Sequence, residues 1–136
     1  MIKLTFCLRR LPQLTRAQFQ DYWLNRHGPL VRHHAPALRI WRYVQTHAVE
    51  TPYDAGLRAS RQGPEPFDGI AELWWTDEAT FEASMRDPIA RAAGKELLAD
   101  EKRFIDLARS PLWLNREHEV VGPAGVPAAD PASAGP

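Results

Sequence analysis

The 136-residue chain has the length of one domain, and its 17 lysines and arginines against 17 aspartates and glutamates leave no net charge to gather nucleic acid, anionic lipid or a strongly charged substrate. Hydrophobic residues make up 44% of it, charged ones 25%, and five residues are tryptophan, the balance of a globular protein with aromatic walls. A lone cysteine, Cys7, excludes an internal disulfide, and the opening MIKLTFCLRR carries neither a signal-peptide run nor a membrane span. The expected setting is the cytoplasm, and the expected partner is neutral or small.

Residues Ile2 to Leu8 alternate, with Ile2, Leu4, Phe6 and Leu8 on one face and Lys3, Thr5 and Cys7 on the other, which predicts a first strand. Thr15 followed by Gln18 forms a capping-box signature, and Phe19, Tyr22, Trp23, Leu30 and Val31 recur at helical spacing. A helix is expected from about Arg16 to about His34, kinked where Gly28 and Pro29 weaken it. Leu38 to Val49 alternates again, a second strand carrying Tyr43, Gln45 and His47 on one side. Glu50 to Asp68 is rich in Pro, Gly and Arg and without periodicity, so it reads as a long irregular loop of the kind that covers a pocket.

Phe67-Asp68-Gly69 turns the chain into IAELWW, a third strand, after which Thr76 or Asp77 caps a short helix with Phe81 and Met85. Asp87-Pro88 opens a further helix expected to reach about Arg109, and Leu112 to Val121 is read as the fourth strand. The stretch from Gly122 to Pro136, GPAGVPAADPASAGP, has Val126 as its only large apolar side chain and is expected to be a disordered tail, leaving residues 1–121 as the folded domain.

The order β, α, β, β, α, α, β is the split βαββαβ arrangement of a ferredoxin-like α+β fold, with helices on one face of a four-stranded antiparallel sheet. Strands three and four carry bulky residues on both faces, so the uncovered face is expected to pack against a second copy in a two-fold dimer. Trp74 and Trp75 point opposite ways, one toward a pocket and one toward the dimer core, and Trp74 is taken as the pocket residue.

Stepping 100° per residue from Phe19 puts His27 and His34 in the same helical sector as Tyr22, Trp23, Leu30 and Val31. On the late helix, Asp100 shares the face of Ala93, Leu97 and Phe104, and Glu101 lies at its border. Both helices cover the same side of the sheet, so His27 meets Asp100, or one of them meets Tyr43 or His47. An acid and a base in an apolar cleft is the arrangement for proton transfer at neutral pH, and equally that of a buried structural ion pair. Tyr22, Trp23, His34 and Trp74 are the candidates for contacting a substrate. The histidine spacing fits no metal-binding pattern, and no phosphate loop, nucleophile elbow or dinucleotide fingerprint occurs, so neither metal nor cofactor is expected.

The segments IKLTFCLRR, F-x-x-YW-x-x-x-HGPLV, RYVQTH, FDGIAELWW and DEKRFID, in that order from Ile2 to Val121, resemble the EthD family, a branch of the dimeric α+β barrel proteins. The resemblance implies a ferredoxin-like dimer with a pocket between sheet and helices. It also implies functional positions at His27, the histidine of the HGP element, at Tyr43 and His47, and at Asp100. Family members are associated with breakdown of ethers and other organic compounds as accessory proteins, and similar fungal proteins are cofactor-independent dehydratases or decarboxylases of aromatic polyketides. Other branches include polyketide cyclases, muconolactone isomerases and cofactor-free monooxygenases.

The leading expectation is a cofactor-independent enzyme that dehydrates, cyclises or isomerises a hydrophobic aromatic or polyketide-like compound by proton transfer. In it His27 is acid or base, Asp100 its orienting partner, and Tyr43 or His47 polarises a carbonyl. The alternatives are an accessory protein that binds a hydrophobic metabolite and a cofactor-free monooxygenase.

Overall fold

The computed structural model describes residues 1–125, so most of the stretch read as a tail lies outside the described residues. Four strands, β1 (Ile2–Leu8), β2 (Arg42–His47), β3 (Gly69–Trp75) and β4 (Leu112–Asn115), form one antiparallel sheet in the order β2-β3-β1-β4. This is the ferredoxin-like topology. The helices α1 (Arg16–Tyr22), α2 (Gly28–His34), α3 (Asp54–Arg61), α4 (Glu78–Arg86) and α5 (Pro88–Glu101) complete the chain.

Register sorts the sheet's side chains into rows. On the helix-facing side, Tyr43, Leu73, Leu4 and Leu114 make one row and Gln45, Ala71, Phe6 and Leu112 the next, with His47, Gly69 and Leu8 beyond. The outer face carries Arg42, Trp74, Lys3 and Asn115, then Val44, Glu72, Thr5 and Trp113. There Trp74 lies between two cations, Arg42 at 4.7 Å and Lys3 at 5.4 Å from its ring, and its Nε1–H donates to Glu117. Lys3 also pairs with Glu72 at 2.7 Å. Trp74 is therefore turned away from the helices, and Trp75 takes the place expected for it.

The expected kinked helix is one continuous αR run with a π turn inserted. Thr15 caps α1 with a complete capping box, and then Trp23–His27 widens to i→i+5 bonding, the Gly28 amide donating to the Trp23 carbonyl. Proline lacks an amide hydrogen, and the wider turn accommodates Pro29 at the start of α2 without breaking the axis. The same widening turns Trp23 and His27 inward together, at 1% and 6% exposure.

Other boundaries also moved. The expected second strand begins only at Arg42, because Arg39 adopts a left-handed turn at φ 57°. The segment from Glu50 to Asp68 holds α3, a helix with no buried residue, its first turn tied by Thr51 to Asp54 hydrogen bonds. α5 runs unbroken through Gly94 but stops at Glu101, where the chain turns and a short 3₁₀ segment follows at Leu107–Arg109. The fourth strand is only Leu112–Asn115.

Two apolar clusters fill the space between layers. Phe6, Leu8, Phe19, Trp23, Ala71, Phe104 and Ile105 form one, and Val31, Leu38, Ala90, Ala93 and Leu97, where α2 meets α5, form the other. Gly69 is what lets Trp23 lie on the sheet. A Cβ at residue 69 would come within 2.4 Å of the Trp23 indole and 2.8 Å of the Thr46 carbonyl. Such an overlap has no flexible side-chain end to yield. Gly69→Ala is thus expected to cost about 2–3 kcal/mol of stability in urea unfolding, as other overpacked cores do; a change within 0.5 kcal/mol of zero, the range of ordinary surface substitutions, would contradict this packing.

Candidate active site

Between the two clusters the sheet and helices leave a cavity of about 190 Å³. Its wall is apolar: Leu4, Phe6 and Leu73 from the sheet, Trp23 and Val31 from the first helical run, Leu97 from α5 and Ile105 from the segment after it. Gly94 also borders it, and a Cβ there would meet nothing within 4 Å, so this helix face is open space rather than packed core. Three polar side chains reach the cavity: His27, Tyr43 and Glu101.

His27 separates the cavity from Asp100. Its Nδ1–H donates to Asp100 Oδ2 at 2.8 Å, and the other carboxylate oxygen accepts the Tyr22 hydroxyl at 2.6 Å. The ring packs on Phe104 at 5.0 Å, as Tyr22 does at 5.1 Å. With Nδ1 committed to the carboxylate, Nε2 is the nitrogen left for a ligand, and it carries a lone pair. Burial pushes the His27 pKa below the ordinary histidine value, and the Asp100 hydrogen bond and charge only partly offset this. Tyr22 is held above the ordinary tyrosine value by burial and by Asp100, which keeps it a donor.

Glu101 is the group that helical periodicity left at the border. Burial, with the neighbouring Asp100 charge added, pushes its pKa up to about 7. The cavity thus holds a carboxyl shifted upward and an imidazole shifted downward, so near pH 7 both a protonated acid and an unprotonated base are present. Tyr43 is raised to about 12 by burial, which keeps its hydroxyl protonated and able to donate. That hydroxyl accepts from Gln45 Nε2 at 2.9 Å, and the same amide donates to the Trp23 carbonyl at 2.9 Å.

The remaining sequence candidates stand elsewhere. His47 lies beyond the cavity, stacked on Trp23 at 4.3 Å and donating to Gln45 Oε1 at 2.8 Å, with its pKa lowered by burial. His34 pairs with Glu96 at 2.7 Å and joins α2 to α5 outside the cavity wall. Tyr22 meets Asp100 rather than the cavity, and Trp74 is on the far side of the sheet. Of the residues expected to contact a substrate, Trp23 borders the cavity. Among the described residues, no three His, Cys, Asp or Glu side chains gather as a metal set.

The profile of the EthD domain family matches residues 11–108. None of the curated proteins compared with the chain matches it. Among solved structures, an EthD family protein of Bacillus halodurans C-125 aligns at 24% identity and TM-score 0.56, covering 87% of this chain and 99% of its own. An EthD-like protein of Ralstonia eutropha JMP134 aligns at 15% and 0.53, with 85% and 89% covered. A dimeric protein of ferredoxin-like fold from Bacteroides fragilis NCTC 9343 aligns at 8% and 0.53, with 85% and 95% covered. With some hundred consecutive residues, from the turn after β1 to the turn before β4, matching the family profile, the chain belongs to the EthD domain family.

Proposed function

We propose that the protein is a cofactor-independent enzyme that moves protons on a small hydrophobic carbonyl compound. The observation that carries this reading is the pairing, in one apolar cavity, of His27 backed by Asp100 with a Glu101 carboxyl raised to about 7. His27 Nε2 removes a proton from the carbon next to the carbonyl, and the electron pair passes to the carbonyl oxygen as an enolate forms. The Tyr43 hydroxyl donates to that oxygen, and Glu101 returns a proton to the enolate or to a leaving hydroxyl. From the enolate, protonation at another carbon gives isomerisation; attack of the enolate carbon on a second carbonyl of the same molecule, whose oxygen takes the Glu101 proton, gives cyclisation; and loss of a β-hydroxyl, which leaves as water with the Glu101 proton, gives dehydration. Asp100 fixes the His27 tautomer and balances the imidazolium that forms.

The dimer belongs to the same reading. Trp113 is 47% exposed on the outer face of β4, which a second copy packing sheet to sheet would cover. The compartment we assign is the cytoplasm, where a lone buried thiol such as Cys7 needs no oxidising partner. No helix among the described residues is long and apolar enough to cross a membrane.

The direct test is deuterium exchange from D₂O into the α-position of phenylacetone, a one-ring enolisable ketone. His27→Asn is expected to lower the exchange rate roughly 100-fold or more, the usual worth of a general base, with the melting temperature nearly unchanged. Unchanged exchange would remove His27 from the reaction and favour a binding protein. Exchange should peak near neutrality, rising with His27 deprotonation and falling as Glu101 ionises near pH 7. Glu101→Gln, whose amide cannot supply the proton, should lower the rate at the optimum and leave no falling limb near pH 7.

Glu101 also ties stability to pH. Its folded pKa of about 7 lies above the ordinary glutamate value of 4.5, so its contribution is complete below pH 4.5 and is lost as pH rises through 7. Glu101→Gln carries no such penalty. Relative to wild type it should gain on the order of 3 kcal/mol between pH 4 and pH 8. Parallel stability curves would contradict the buried, proton-holding carboxyl.

A further inference from the structure

The cavity at His27 has a second space beside it. A groove of about 370 Å³ opens at the β2 edge, lined by Leu24, Gly28, Ala35, Trp41 and Gln45 among others. Val31, Ile40 and Tyr43 line both the groove and the inner cavity, so these three side chains are the partition between them. Val31 and Ile40 are branched aliphatic side chains on or beside α2, packed at the edge of the α2–α5 cluster. Tyr43 is the one large member, and it sits on the sheet's edge strand.

The Tyr43 ring packs against both apolar clusters, and a hydrogen bond from Gln45 fixes its hydroxyl end across the opening. Gln45 Nε2 spends one hydrogen on the Tyr43 hydroxyl and the other on the Trp23 carbonyl, and His47 Nε2–H fixes the amide from its oxygen end at 2.8 Å. Gly28 leaves Gln45 the room it needs, since a Cβ there would lie 3.3 Å from Nε2. The latch therefore depends on the same π turn that sets His27.

Volume shows what the partition does. At about 190 Å³ the inner cavity holds a one-ring compound, being little larger than the roughly 150 Å³ cavity that takes benzene, and it is smaller than the roughly 300–1,000 Å³ of most ligand sites. The groove would add about 370 Å³, with the half-exposed Trp41 indole as a surface for a second ring.

We propose that Tyr43 sets the size limit of the site: latched by Gln45 it confines a ligand to one ring, and with its ring removed or swung aside the cavity and groove become one site that admits a fused second ring. This rests on the acid–base reading of the inner cavity, and it makes Tyr43 a specificity-determining wall as well as a hydrogen-bond donor.

The test compares phenylacetone with its two-ring counterpart, 1-(2-naphthyl)propan-2-one, by calorimetric titration of the full chain. Wild type should bind the one-ring ketone at least about tenfold more tightly. Tyr43→Ala should abolish or reverse that preference, by tightening the two-ring ketone about tenfold or more while the one-ring ketone, which loses the Tyr43 hydroxyl as a donor, binds no more tightly than to wild type. If the alanine variant fails to fold by circular dichroism, Tyr43→Val, a good strand former, carries the same expectation. Equal affinities in wild type, or the same change for both ketones, would overturn the proposal. Binding is read without turnover, so a failed wall leaves the exchange result standing. Absent exchange with a shifted size preference would overturn the proposed function and leave the wall.

Discussion

The site depends on one carboxylate. Asp100, at the end of α5, accepts from His27 on one oxygen and from Tyr22 on the other, and so ties the last helix to the first helical run. Two hydrogen bonds to fixed donors hold it where an unpaired charge would be costly. From that position it does three things. It selects the His27 tautomer, so that the free nitrogen is the one left for a ligand. It keeps Tyr22 protonated. Its charge adds to burial in keeping the Glu101 proton on at pH values where an exposed glutamate has lost it. A structural ion pair would do the first and second; only a cavity beside it gives the third a chemical use, and that cavity is present.

The fold delivers His27 to Asp100 through backbone geometry rather than through a loop. A regular α-helix through Gly28 and Pro29 would lose a hydrogen bond and kink. The π turn at Trp23–His27 absorbs the proline and presents Trp23 and His27 to the same side. Trp23 then has to lie flat on the sheet, which Gly69 permits, and it stacks on His47. His47 and Gln45 thus serve the site from behind: they brace Trp23 and Tyr43, which face it. The HGP element is a positioning device in which the glycine spares Gln45, the proline goes with a widened turn, and the histidine carries the lone pair.

Much of this was legible in the sequence because it rests on periodicity. The strand alternation of Ile2–Leu8, the capping box at Thr15 and the Asp87-Pro88 helix start appear in the structure as read. The helical sectors that put His27 and Asp100 inward are the ones that bring them together. What periodicity cannot give is parity, reach and exposure. Trp74 and Trp75 are adjacent and equally bulky, and only the register against β1 and β2 says that Trp75 faces the cavity. Glu101 sits at the border of its helical face, and its importance comes from the end of α5, where the chain turns, the Phe104 and Ile105 amides donate to its carbonyl, and its side chain lines the cavity. α3 escapes the pattern because it has only eight residues and one large apolar side chain, Leu57, which stays exposed. The partition at Tyr43 depends on cavities, which no one-dimensional pattern contains.

In the proposed reaction His27 offers an unprotonated Nε2 to a ligand at neutral pH. Long-range ¹H–¹⁵N spectroscopy of the imidazole nitrogens reads this directly, with no substrate known in advance. At pH 7 His27 is expected to be neutral, with its proton on Nδ1 toward Asp100, and to give a Nε2 resonance of the unprotonated type that shifts when phenylacetone is added. A proton on Nε2, a charged ring at pH 7, or a resonance that does not respond to the ketone would contradict it.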